Sequence, residues 1–144
     1  DILESLRNVG ARVHLITDGD VAGVIHTTDP ATQIDMYIGQ GGAPEGVLAA
    51  AALRCVGGQF QARLVFRNGD GGGRAGRIGV TDFKRRYDRA DLVPGHAIFA
   101  AAGVTDGMLL NGVKASEQSM RTHALIMNSA TGLTAEIRAI TPKA

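Results

Sequence analysis

Ile34-Asp35-Met36-Tyr37-Ile38 runs into Gly39-Gln40-Gly41-Gly42-Ala43-Pro44-Glu45-Gly46, and an alanine-rich body, Val47 to Val56, follows before Gly57-Gly58. The apolar run Ile34 to Ile38 predicts a strand. The glycines make a tight turn, and Pro44 falls at or near the first position of a helix, where no backbone donor is lost. Alanine leaves little side-chain bulk, so this helix can lie close against a sheet. Strand, turn and helix in that order are the unit from which α/β domains are built.

Working toward the N-terminus, Val13, Leu15 and Ile16 predict a short buried strand. Asp18-Gly19-Asp20 breaks it, and Val21 to Ile25 resume as a helical turn that Asp18 can N-cap. Ile2, Leu3, Leu6 and Val9 share one helical face, with Gly10 as the stop. Toward the C-terminus, Phe60, Ala62, Leu64 and Phe66 alternate with polar residues as in a strand. Arg67 to Gly76 predicts a loop, and Lys84, Arg85, Arg86 and Arg89 sit in a polar helical or irregular stretch. Ala97 to Ala102 predicts a buried strand that turns through Gly103-Val104-Thr105-Asp106-Gly107 into Met108-Leu109-Leu110. Gln118 to Ile140 predicts two strands around Ser129-Ala130-Thr131-Gly132, a hairpin. The expected fold is α/β: a three-layer-like sandwich with a mixed, mainly parallel sheet and a C-terminal antiparallel hairpin.

The 144 residues, 44% of them hydrophobic, suit one domain over residues 1–144. Fifteen basic against fourteen acidic residues exclude a nucleic-acid scaffold or a polybasic membrane binder. Twenty glycines announce tight turns, and 4% aromatics without tryptophan require a small aliphatic core. The lone Cys55 excludes a disulfide framework and fits a reducing compartment such as the cytoplasm. No run reaches the roughly 18 apolar residues of a membrane helix. The chain opens Asp1-Ile2-Leu3 without methionine and already amphipathic, as if cut from something longer.

Ligands of open α/β sheets bind outside the carboxyl ends of the strands. Three turns take such positions: Asp18 to Asp20, Gly39 to Gly46 and Gly103 to Gly107. Amides at a helix start attract phosphate oxygens, and carboxylates attract hard cations or sugar hydroxyls. Glu45 reads either as an acid that complements the helix dipole or as a divalent-metal ligand. Asp18 and Asp20 read as cap and turn residues or as holders of sugar hydroxyls. Gly71, Gly73 and Gly76 fit G-x-G-x-x-G, but Arg67 to Asp70 separate them from the preceding strand, so a surface loop is the better reading than a dinucleotide site. His14, His26, His96 and His123 show no metal-ligand spacing, and Cys55 reads as a buried inert thiol.

Three segments resemble signatures of the class II fructose-1,6-bisphosphatases. They are Gly10-Ala11-Arg12-Val13 through Ile16 to Asp18-Gly19-Asp20-Val21-Ala22, then Gly41-Gly42-Ala43-Pro44-Glu45-Gly46-Val47-Leu48-Ala49-Ala50-Ala51, and Ile98-Phe99-Ala100-Ala101-Ala102-Gly103-Val104-Thr105-Asp106-Gly107. Ala102 stands where the family often has threonine, and Arg121-Thr122-His123 fits the family's tail. The resemblance spans the chain but only the C-terminal half of a family member, the C-terminal domain of the sugar-phosphatase superfamily fold.

It implies metal-dependent hydrolysis of the 1-phosphate of fructose 1,6-bisphosphate, in gluconeogenesis or the Calvin cycle, with sedoheptulose 1,7-bisphosphate as a substrate of some relatives. By motif, Asp18, Gly19 and Asp20 bind the sugar phosphate, Gly42 joins them through its backbone, and Glu45 ligates Mn²⁺ or Mg²⁺. The implied partners are the sugar bisphosphate, further copies in a dimer or tetramer, and the missing N-terminal half; no nucleic acid or membrane is implied. That half carries the family's other metal carboxylates, so this chain alone is expected to have little activity. The alternative is a non-catalytic module that captures sugar phosphates.

Overall fold

The computed structural model describes residues 1–66, 75–77 and 79–143. Its elements are α1 (Ile2–Asn8), α2 (Asp20–His26), a short 3-10 turn (Pro30–Thr32), α3 (Ala43–Val56), β1 (Gln61–Arg63), β2 (Arg86–Asp88), α4 (Arg89–Leu92), β3 (Ile98–Ala102), β4 (Lys114–Ala115), β5 (Ser119–Asn128) and β6 (Leu133–Pro142).

The C-terminal hairpin is the frame. β5 and β6 pair over their full ten-residue lengths, from Ser119 opposite Pro142 to Asn128 opposite Leu133, around the loop expected at Ser129–Gly132. β3 and β4 pair with the other side of β5. α3 lies across one face of this sheet. Its Ala49, Ala50, Ala52 and Leu53 are buried, because alanine lets backbone approach backbone. The core joins Ile25, Ala52, Phe99, Leu110, Leu125 and Met127, while Val24, Ala49 and Leu53 form a second cluster under Tyr37 and Phe60.

Several sequence expectations hold. α1 stops at Gly10, which takes a positive φ of 77°. Pro44 sits in the first turn of α3. β3 occupies the predicted strand. The Arg67–Gly76 loop, with Gly71 and Gly73, lies largely outside the described residues.

The sheet is a correction. Every strand pair among the described residues is antiparallel, so the sheet is not mainly parallel. The parallel strands expected at Val13–Ile16 and Ile34–Ile38 do not form. A strand exists through hydrogen bonds to a neighbour, and these runs pair with no strand among the described residues. Leu15, Met36 and Ile38 are accordingly more than half exposed. Phe60–Phe66 shrinks to β1, which pairs only with β2, in the stretch expected to be helical or irregular. Asp18 does not cap α2: Gly19 does, in a left-handed conformation with no side-chain bond. Among the described residues no helix is long and apolar enough to cross a membrane.

Candidate substrate and metal site

Two helix starts meet here because α2 packs against α3. Asp20 is the first residue of α2 and is partly buried. Gly42 is the N-cap of α3, with φ −70° and ψ 160° and no side-chain cap, so the first amides of a 14-residue helix are left open. Uncapped amides and the helix dipole favour an anion. Glu45 lies exposed in the first turn of α3.

Gly41 is the hinge of this arrangement. A Cβ built on it would stand 2.9 Å from Asp20 Oδ2 and 3.8 Å from Glu45 Cβ. A Cβ on Gly42 would collide with Glu45 Oε2. A side chain at either place would have to displace one of these carboxylates. Asp20, Gly42 and Glu45 therefore come together around Gly41. Asp18 and Gly19 are exposed on the approach to α2, and the Asp18 side chain makes no hydrogen bond to a described residue.

Sequence reasoning assigned no role to Tyr37. Its ring packs on the Val24–Ala49–Leu53 cluster and against Gly23 of α2, where a Cβ would fall 3.0 Å from two ring carbons. Gly39 passes beside the hydroxyl, leaving no room for a side chain. The phenol is pushed up to about 12, first by burial, then by its hydrogen bond to Asp20 and the charge of that carboxylate. The Tyr37 hydroxyl thus lies beside the Asp20 carboxylate. The signal available in the sequence was one of only two tyrosines placed two residues before Gly39.

Among the described residues no group of three His, Cys, Asp or Glu side chains converges on a metal position. The hard, exposed oxygens of Glu45 suit Mg²⁺ or Mn²⁺ rather than a softer metal. Cys55 is partly rather than fully buried, and its thiol donates to Ala97 O at 3.5 Å.

The family model described as "Bacterial fructose-1,6-bisphosphatase, glpX-encoded" matches residues 1–141. The chain belongs to that family. Among curated relatives of this bisphosphatase family, it is 38% identical to the Synechococcus elongatus protein named D-fructose 1,6-bisphosphatase class 2/sedoheptulose 1,7-bisphosphatase, over 90% of this chain and 41% of that protein. Proteins of the same name from Microcystis aeruginosa, at 38%, and Crocosphaera subtropica, at 39%, match with the same coverage. The chain thus spans about two fifths of the length of these bisphosphatases.

Proposed function

We propose that this chain is the C-terminal, substrate-binding and metal-completing domain of a class II fructose-1,6-bisphosphatase. The reaction is hydrolysis of the 1-phosphate of fructose 1,6-bisphosphate to fructose 6-phosphate and phosphate. The named relatives extend the substrate class to sedoheptulose 1,7-bisphosphate. One observation carries the reading: Asp20, Gly42 and Glu45, distant in sequence, converge at the uncapped start of α3.

In this reading Asp18, Gly19 and Asp20 hold the sugar phosphate, Tyr37 keeps Asp20 in place, and the Gly42 backbone meets a phosphate oxygen. Glu45 contributes one oxygen to a divalent cation, Mn²⁺ or Mg²⁺. When bound, such a cation polarises the phosphoryl group and acidifies the attacking water. One carboxylate does not fill its coordination shell, so the remaining ligands come from the part of a relative-length chain that lies outside these residues. The sheet supports that division. By strand alternation Ile98, Met120, Leu133 and Ile137 stand on the face opposite α3, and all are 40% exposed or more. In a relative-length chain this face takes a further layer, which restores the three-layer arrangement.

The test is Glu45→Gln in a chain completed to the length of its relatives. Metal-dependent phosphate release should fall by about 100-fold or more, as expected for loss of a metal ligand. Unchanged metal-dependent turnover would remove Glu45 from the site. A second reading, sugar-phosphate capture without catalysis, is favoured by the single candidate ligand among the described residues. Calorimetry with fructose 1,6-bisphosphate separates the two, because metal-independent affinity supports the module.

A further inference from the structure

The segment from Gly103 to Gly112 joins β3 to β4 and folds back tightly on itself. Gly107 N donates to Leu110 O at 3.0 Å, Val113 N to Val104 O at 3.1 Å, and Gly112 N to Asp106 Oδ1 at 2.9 Å. A Cβ on Gly112 would lie 2.6 Å from Asp106 N, so no larger residue fits. Besides the Lys114 pair with Asp106 and the burial of Leu110, two hydrogen bonds hold the segment to one residue of β5. Gly103 N donates to His123 O at 2.9 Å, and Asn111 N donates to His123 Nδ1 at 3.0 Å.

His123 is buried, with 6% of its surface exposed. A backbone N–H only donates, so Nδ1 carries no proton and the hydrogen resides on Nε2. Nε2 faces Glu136 Oε2 at 3.3 Å, and Arg138 Nη2 approaches the same oxygen at 3.3 Å. β6 thus presents one acid and one base. β4 presents Lys114, which is paired with Asp106, and β5 itself carries Arg121. β3 bears no charged side chain, and α3 and α2 turn Ala52 and Ile25 toward this core. None of these groups replaces the acceptor at Nδ1.

Asn111 follows Leu110, which is buried in one cluster with Ile25, and Val21 and Leu109 pack against that cluster. Val21 is the neighbour of Asp20. We propose that His123 is a positioning residue: neutral and protonated on Nε2, it pins the Gly103–Gly112 segment and, through Leu110, the start of α2. The consequence for sugar-phosphate binding rests on the reading of Asp20 given above.

The test uses a chain completed to the length of its relatives and two variants. His123→Asn keeps an acceptor oxygen near the place of Nδ1 and cannot take a proton. His123→Gln offers a donor toward Glu136 but no acceptor there. Amide exchange of Asn111, read at one neutral pH, should be as protected in His123→Asn as in the parent and about tenfold less protected in His123→Gln. Fructose 1,6-bisphosphate affinity should follow the same order. Equal protection in the two variants overturns the proposal. Exchange as expected, with no sugar bisphosphate bound, supports the pin and rejects the Asp20 assignment alone.

Discussion

Asp20 and Glu45 meet across Gly41: the Asp20 carboxylate oxygen and the Glu45 Cβ lie 2.9 Å and 3.8 Å from the point a side chain on Gly41 would occupy. Two acids from different helices are brought together over a residue that has no bulk. Substituting Gly41→Ala pushes Asp20 away from Tyr37 and from Gly42. Fructose 1,6-bisphosphate affinity should fall by about tenfold, the equivalent of one lost hydrogen bond. Gly46→Ala is the control. Nothing lies within 4 Å of its Cβ inside α3, so affinity should hold while the unfolding free energy rises by about 0.5–1 kcal/mol. Equal affinities for the two variants would separate Asp20 from the ligand.

Tyr37 gives a signature at high pH. Its phenol is raised from 10.0 to about 12 in the fold, so the folded state keeps a proton that the unfolded state has lost. The stabilisation is complete below about pH 10 and disappears as pH rises through 12. Phenolate absorbance should show one tyrosine titrating near 12, and Tyr37→Phe should abolish that step. The variant should also bind sugar bisphosphate more weakly, because Asp20 loses its polar neighbour. A Tyr37 titration at the ordinary value would place its hydroxyl away from Asp20.

Arg89 closes the far end of α3. Its Nη1 donates to Leu53 O at 2.9 Å, which also accepts from Gly57 N, and to Gly58 O at 3.0 Å just beyond the helix, tying the turn that follows α3 to α4. Arg89→Ala should destabilise the chain by about 2 kcal/mol, within the range for hydrogen bonds from charged groups. Denaturant unfolding at two salt concentrations reads this. A loss below about 0.5 kcal/mol, the level of an ordinary surface substitution, would mean that water serves these carbonyls equally well.

Asp106 reports on the Gly103–Gly112 segment at low pH. Its carboxyl is held below the usual 3.8 by the hydrogen bond from Lys114, then by the Gly112 amide, while desolvation works against them. Its contribution is present above the unfolded value and is lost as pH falls through the lower folded one. Carbon-detected titration should place its midpoint below 3.8, and Lys114→Met should move it upward. An unmoved midpoint would show that the Lys114 pair is not populated.

The sequence was informative where structure is local. The β5–β6 hairpin, the Pro44 helix start, the Gly10 stop and the Gly41–Gly42–Glu45 turn were all legible, because turn chemistry and helix starts act over a few residues. Apolar content misled at Val13–Ile16 and Ile34–Ile38. Those runs have strand composition, yet a strand also needs a partner, and partners are set by long-range pairing that no window of sequence contains. The exposure of Ile98 and Ile137 belongs to the same lesson, since burial is decided by packing between elements and not along one of them.

The chain's own sequence determined the candidate set: acids beside glycines at Asp18–Asp20 and Gly41–Glu45, and the signatures that carry the family resemblance. Only tertiary structure decided that Asp20 and Glu45 share one place, that Tyr37 lies beside the first of them, and that His123 holds a distant loop. The reason is physical. Composition and spacing act along the backbone, whereas hydrogen bonds, close approach and burial act through space, between residues the chain itself keeps far apart.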